Sequence, residues 1–225
     1  MSRWFARPTG TLLILRKRPR LASWNKRTDP DQVRLLEYLE DTEDLLASSR
    51  VADPWTLLLD VGLSEDRDLL DMPDLDNFAY PLASRLHDQS LVSVWCVKRH
   101  ARVSHTAIAR AEEVAAPAPT YRARTTASFE TRAFKEQVRA ALATTDEIPP
   151  GPVALQISFS VSRRRNWLNL WKPTIDALDP LLGRTRVDRD WHPRDGRITE
   201  LGLHLTIDDS LGYDVVIEIA AAPSR

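Results

Sequence analysis

Cysteine is all but missing from this sequence: Cys96 is the only one in 225 residues. An internal disulfide is therefore impossible, and a cysteine-based zinc site is excluded. The chain is expected in a reducing compartment such as the cytoplasm. Long apolar runs are missing as well. Thr11-Leu-Leu-Ile-Leu15 is far shorter than a signal-peptide core, and no run reaches membrane-spanning length, so no membrane partner is expected. An excess of one charge is also missing. The formal net charge is −1, so nothing in the whole-chain balance advertises nucleic acid. What is present, 43% hydrophobic and 28% charged residues, suits one large or two small globular domains.

Charge is concentrated locally. Arg16, Lys17, Arg18, Arg20, Lys26 and Arg27 form a basic arm, and Arg163, Arg164 and Arg165 form a second basic cluster. Glu65, Asp66, Asp68, Asp71, Asp74 and Asp76 form an acidic stretch. Each suits a solvated loop, and each basic cluster also suits contact with phosphates.

Periodicity gives the elements in order. Thr11–Leu15 reads as a strand. A helix over 32–49, capped by Asp29 or Asp31, places Val33, Leu36, Leu39 and Leu46 inward. Residues 56–61 read as a strand, and the Asp-Leu-Asp-Asn stretch after it opens a helix with Phe78, Leu82 and Leu86 on its buried face. Residues 91–98 and 103–109 follow as paired strands. Residues 112–120, Glu-Glu-Val-Ala-Ala-Pro-Ala-Pro-Thr, read as a linker. After it come a helix over 129–142, a strand over 153–161, a helix over 168–182 and strands over 197–205 and 213–219. Helix, strand, charged loop, helix, strand, strand thus occurs twice, about 92 residues apart, as a duplication predicts. Two such copies, 1–111 and 121–225, are expected to pack as an intramolecular pseudo-dimer of α/β type. The working unit is then a monomer, with a homodimer as the alternative.

The stretch 72–88, Met-Pro-Asp-Leu-Asp-Asn-Phe-Ala-Tyr-Pro-Leu-Ala-Ser-Arg-Leu-His-Asp, surrounds one short helix with Asp74, Asp76 and Asp88. Clustered carboxylates suit Mg²⁺, or Mn²⁺, because a hard cation takes oxygen ligands. An Asp-rich helix N-cap is the plainer reading of the same spacing. His87 suits a general base, and more plainly a cation at a helix C-terminus. Near the Arg163–165 loop, Trp167 and Trp171 suit base stacking, or the core.

The order of these residues resembles the RusA family of Holliday-junction resolvases, small homodimeric α/β endonucleases. The resemblance rests on Asp74-Leu-Asp-Asn77, with Asp88-Gln-Ser90 before a Val-rich strand. In the second half it rests on Gly151-Pro-Val-Ala-Leu-Gln-Ile-Ser-Phe159, Ser162-Arg-Arg-Arg165, Lys172-Pro-Thr-Ile-Asp-Ala-Leu178 and Asp195. It implies a Mg²⁺-dependent nuclease site with Asp74, Asp76 and Asp88 as metal ligands. It also implies a catalytic lysine, for which Tyr80 stands in the first copy and Lys172 in the second. In the second copy Asn166 and Leu168 replace the paired aspartates, beside Asn169 and Asp195, so that site is expected to be dead. The expected function is cleavage of branched DNA in recombination or repair, from one surviving site. A silent junction binder and a protein-interaction module are the alternatives.

Overall fold

In the computed structural model, residues 2–22, 26, 28–49, 51–71, 73–186 and 188–224 are described. The elements are β1 (Trp4–Phe5), β2 (Leu13–Ile14), α1 (Pro30–Leu46), β3 (Trp55–Leu63), α2 (Leu75–Leu86), β4 (Leu91–His100), β5 (His105–Arg110), β6 (Glu113–Val114) and β7 (Tyr121–Thr125). They continue with α3 (Arg132–Ala140), β8 (Val153–Val161), α4 (Trp171–Asp176), α5 (Asp179–Leu182), β9 (Ile198–Ile207) and β10 (Val215–Pro223).

Eight strands form one mixed sheet in the order β2-β5-β3-β4-β9-β8-β10-β7. β3 and β4 are parallel, with β5 antiparallel to β3. β8 and β9 are parallel, with β10 antiparallel to β8. β4 and β9 join the two groups as an antiparallel pair, Ser93 opposite His204 and Val97 opposite Glu200. Read outward from that seam, both groups have the same order and directions. The chain is thus mixed α and β with a continuous sheet across the seam. The expected linker contributes β6, which pairs with β1.

Strand alternation divides the two faces. Leu57, Leu59, Val61, Val94 and Cys96 share the large core with Leu155, Ile157, Phe159, Leu201 and Leu203, under the helices. On the other face, β1 lies across the seam. Trp4 and Phe5 are buried there against His204, with ring centroids 5.4 and 6.2 Å away, and Trp95 stands 5.5 Å from the same ring. Gly202 makes room for that indole, since a Cβ there would meet the Trp95 ring at 3.0 Å. Burial lowers the His204 pKa to about 3. A neutral ring satisfies both neighbours, Ser93 Oγ at Nδ1 (3.0 Å) and Gln156 Oε1 at Nε2 (3.3 Å).

Three helices differ from expectation. In α1, capped by Asp29 with Pro30 in the first turn, the inward face is Leu35, Tyr38, Leu39, Thr42 and Leu46, while Val33 is exposed. The apolar stripe is rotated because Tyr38 and Thr42 fill core positions that a count of aliphatic residues overlooks. α3 occupies only Arg132–Ala140 of the expected 129–142. The expected helix over 168–182 is three pieces: a 3₁₀ turn at Trp167–Leu170, then α4, then α5. Pro180 explains the second break: it has no N–H to give the Asp176 carbonyl four residues back, and α4 ends at Asp176.

Candidate active site

α2 begins where the chain leaves a charged loop after β3. Asp74 occupies its N-cap position with extended backbone, but its side chain caps no helix N–H. Oδ2 accepts from Asn77 Nδ2 at 3.3 Å, and Oδ1 is buried with no hydrogen-bond partner among the described residues. Asn166, which precedes the 3₁₀ turn of the second half, does what Asp74 does not: its Oδ1 accepts from Leu168 N at 3.1 Å. The plain capping role therefore belongs to Asn166, and Asp74 keeps an oxygen unspent in the interior.

Asp74 and Asp76 are both buried. Burial is the first cause that raises Asp74 to about 6, and the nearby Asp195 carboxylate adds to it. Burial likewise raises Asp76 to about 7, with Lys172 pulling the other way and Asp74, Asp195 and Asp176 adding. Lys172 bridges Asp176 at 2.8 Å and Asp195 at 3.2 Å. Burial alone would lower the Lys172 ammonium, but Asp76, Asp195 and Asp176 outweigh it and hold the group charged, above the ordinary lysine range. Acids from the first half thus meet a lysine and two acids from the second.

Asp88 is not among them. The twelve residues of α2 span roughly 18 Å and put Asp88 at the far end of the helix. There its Oδ1 accepts from Trp55 Nε1 (3.0 Å), Ser90 N (2.8 Å) and Leu91 N (3.0 Å). The expectation that Asp88 joins Asp74 and Asp76 as a metal ligand fails on topology. β4 runs parallel to β3, so it is the end of β4, at Lys98, that returns to the start of α2. β9 is antiparallel to β4 and therefore begins at that same end, delivering Asp195. His87 is exposed at the C-cap of α2, away from the acids.

Lys98 was not marked as a site residue in the sequence. Its buried Nζ donates to the carbonyls of Asp71 (3.1 Å), Pro73 (3.2 Å) and Gly196 (2.6 Å). It therefore ties the chain entering α2 to the residue after Asp195. The signal was a lone cation on the apolar side of an alternating strand, in phase with Val94 and Cys96. Such a residue has to find oxygen partners. Asp176, on the same site, carried no comparable signal.

Lys172 is placed among the acids. Leu168 is core, and Asn169 Oδ1 accepts from the Tyr80 hydroxyl at 3.3 Å. Trp167 and Trp171 are fully buried, which removes them as stacking surfaces. Of the basic arm, Lys17 pairs with Glu37 (3.0 Å) and Arg16 lies 3.7 Å from Asp41, both on α1. Arg18, Arg20 and Lys26 are exposed, and Arg27 lies outside the described residues. The arm is anchored at Ala22, whose N–H donates to Asn77 O at 2.8 Å. That carbonyl is free because Pro81, four residues on, has no N–H to offer it. In the other cluster Arg163 pairs with Asp209 at 2.7 Å, Arg164 is exposed and Arg165 is half-buried.

Two cavities hold these cations at like places in the two groups of strands. One, of about 550 Å³, lies between the loop after β3 and the β4–β5 turn, with Arg18 and Arg102. The other, of about 420 Å³, lies between the loop after β8 and the β9–β10 turn, with Arg163, Arg164 and Tyr213.

The donors at the acid site are carboxylate oxygens, which suit a hard cation, and one of them is an orphan. Among the described residues, no three His, Cys, Asp or Glu side chains stand together as a ready metal-binding group. Also among them, no helix is long and apolar enough to cross a membrane. Comparison with protein-family models and with curated proteins finds no match for this chain.

Proposed function

We propose that the protein is a Mg²⁺-dependent endonuclease for branched DNA, built as a fused pair of similar halves with one working site. The carrying observation is the meeting, across the β4–β9 seam, of Asp74 and Asp76 with Lys172 and Asp195. On this reading Asp74 and Asp76 hold the ion, with Asp195 beside them on Lys172, in place of the set with Asp88. The bound ion supplies a polarised phosphoryl oxygen and an acidified water. Asp74 brings the unpartnered oxygen, and Asp76 brings a second acid whose charge is costly until a cation meets it. Lys172 neutralises charge at the phosphate, the role for which Tyr80 is unfit. The exposed arginines of the two like-placed cavities, Arg18, Arg102 and Arg164, take duplex phosphates on either side.

The test is a supercoiled plasmid carrying a cruciform, incubated with Mg²⁺ or Mn²⁺. One site per chain gives open circles before linear product, and Asp76→Asn abolishes both. Direct linearisation would refute the single-site reading. One observation favours a second reading, a junction binder without cleavage: Lys172 already neutralises acids where a metal would sit. Tight, salt-sensitive junction binding with no cleavage in either metal would select it.

A further inference from the structure

A cavity opens beside Asp76 and Lys172. It measures about 430 Å³, and its charged lining is Asp76, Glu130, Lys135, Lys172 and Asp176. Its apolar walls are Phe129, Tyr80, Leu168, Trp171 and Pro173. The carboxamides of Asn77 and Asn169 open on the same space. We infer that this cavity receives one unpaired nucleobase of the strand being cut. The inference rests on the endonuclease reading and adds a substrate requirement to it.

The shape of the chemistry is that of a nucleotide. A nucleotide has an anionic end that needs cations, and a flat apolar body with a polar edge. Here the cationic groups are Lys172 and Lys135, bridged to Asp176 at 2.8 and 2.7 Å. The apolar body meets Phe129, which is half-buried and lines the cavity, with Tyr80 in the adjoining wall. Trp171 is fully buried and serves as a back wall, packed edge-on to Tyr80 at 6.3 Å. The polar edge meets two carboxamides, which offer both donors and acceptors. Asn169 is already oriented, because its Oδ1 accepts from Tyr80 and its amide donors stay free to point elsewhere.

The cavity falls in the range of about 300–1,000 Å³ that single small ligands fill, and a base reaches such a pocket only after leaving its stack. That costs least where the base is already unpaired, as at the branch of a junction or flap. A preference for branched DNA then follows from the pocket itself, with no need for recognition of the whole junction.

The experiment walks one abasic residue along the scissile strand of a splayed-arm or four-way DNA. Cleavage is read with Mg²⁺, and binding by anisotropy in EDTA. An abasic residue at one position beside the cut is expected to lower cleavage by about five- to hundred-fold, as for loss of one stacked base. Phe129→Ala should do the same to intact DNA, with no further loss on the abasic strand. Circular dichroism checks that this variant folds, and the abasic walk needs no variant. Cleavage indifferent to every abasic position overturns the pocket and leaves the endonuclease standing. Absence of both binding and cleavage for every DNA overturns the two together.

Discussion

Replacing Asp76 by Asn should make the protein more stable at alkaline pH, and should remove its response to magnesium. Asp76 is 4% exposed, and its pKa of about 7 lies well above the ordinary carboxylate value of 3.8. Between those values the folded chain binds a proton that the unfolded chain releases. This contribution is full below about pH 4 and lost as pH rises through 7. A shift of about three units corresponds to on the order of 4 kcal/mol of destabilisation once the acid is charged. Asparagine removes the charge but leaves a buried polar group, at a cost of roughly 1–2 kcal/mol. The net gain expected at pH 8.5 is about 2 kcal/mol. At pH 5, where wild type is protonated, the two proteins should nearly coincide. Urea unfolding at both pH values measures this. Adding Mg²⁺ at a hundred times its dissociation constant should then stabilise wild type by about 2.7 kcal/mol and the variant hardly at all. If Asp76→Asn were the less stable protein at pH 8.5, or if Mg²⁺ stabilised both equally, the account of this carboxylate as a site held ready for a cation would fail.

Asp88→Ala should cost about 1–2 kcal/mol, because three donors lose their acceptor, yet leave the Mg²⁺-induced rise in melting temperature intact; calorimetry reads both. Lys98→Met should strand three carbonyls and cost about 3 kcal/mol in urea unfolding, and should also weaken the Mg²⁺ response by freeing Asp74 from Asp195. His204 should stay neutral at pH 5 in ¹⁵N side-chain spectra, since its pKa lies near 3, and the stability it gives is present above about pH 6.5 and lost as pH falls toward 3.

The repeated run of elements was legible in the sequence because strand alternation and the punctuating Pro and charged loops occur in both halves. What spacing alone could not resolve was which acid completes the site. Asp88 and Asp195 each precede a central strand, β4 and β9, and only the antiparallel pairing of those strands decides which one lies beside Asp74. Pairing of that kind is a long-range property with no local signature. The rotated face of α1 was missed for a different reason, since Tyr38 and Thr42 are core residues with polar atoms. The break before α5 was legible in Pro180, although periodicity across 168–182 obscured it. Lys98 was legible too, as a charge out of place on a strand.

The β4–β9 seam has a further consequence, for how the chain avoids sticking to its neighbours. Cut between residues 111 and 121, each part would expose one of these ten-residue strands as a bare edge. Both strands carry unpaired N–H and C=O groups there, beside apolar side chains such as Val94 and Leu203. Such an edge templates further strands. In one chain the two dangerous edges consume each other. The edges left to solvent are two-residue β2 and five-residue β7, which carries Arg122 and Arg124. β2 is too short to template and β7 is cationic, so covalent linkage of the halves works as protection from aggregation.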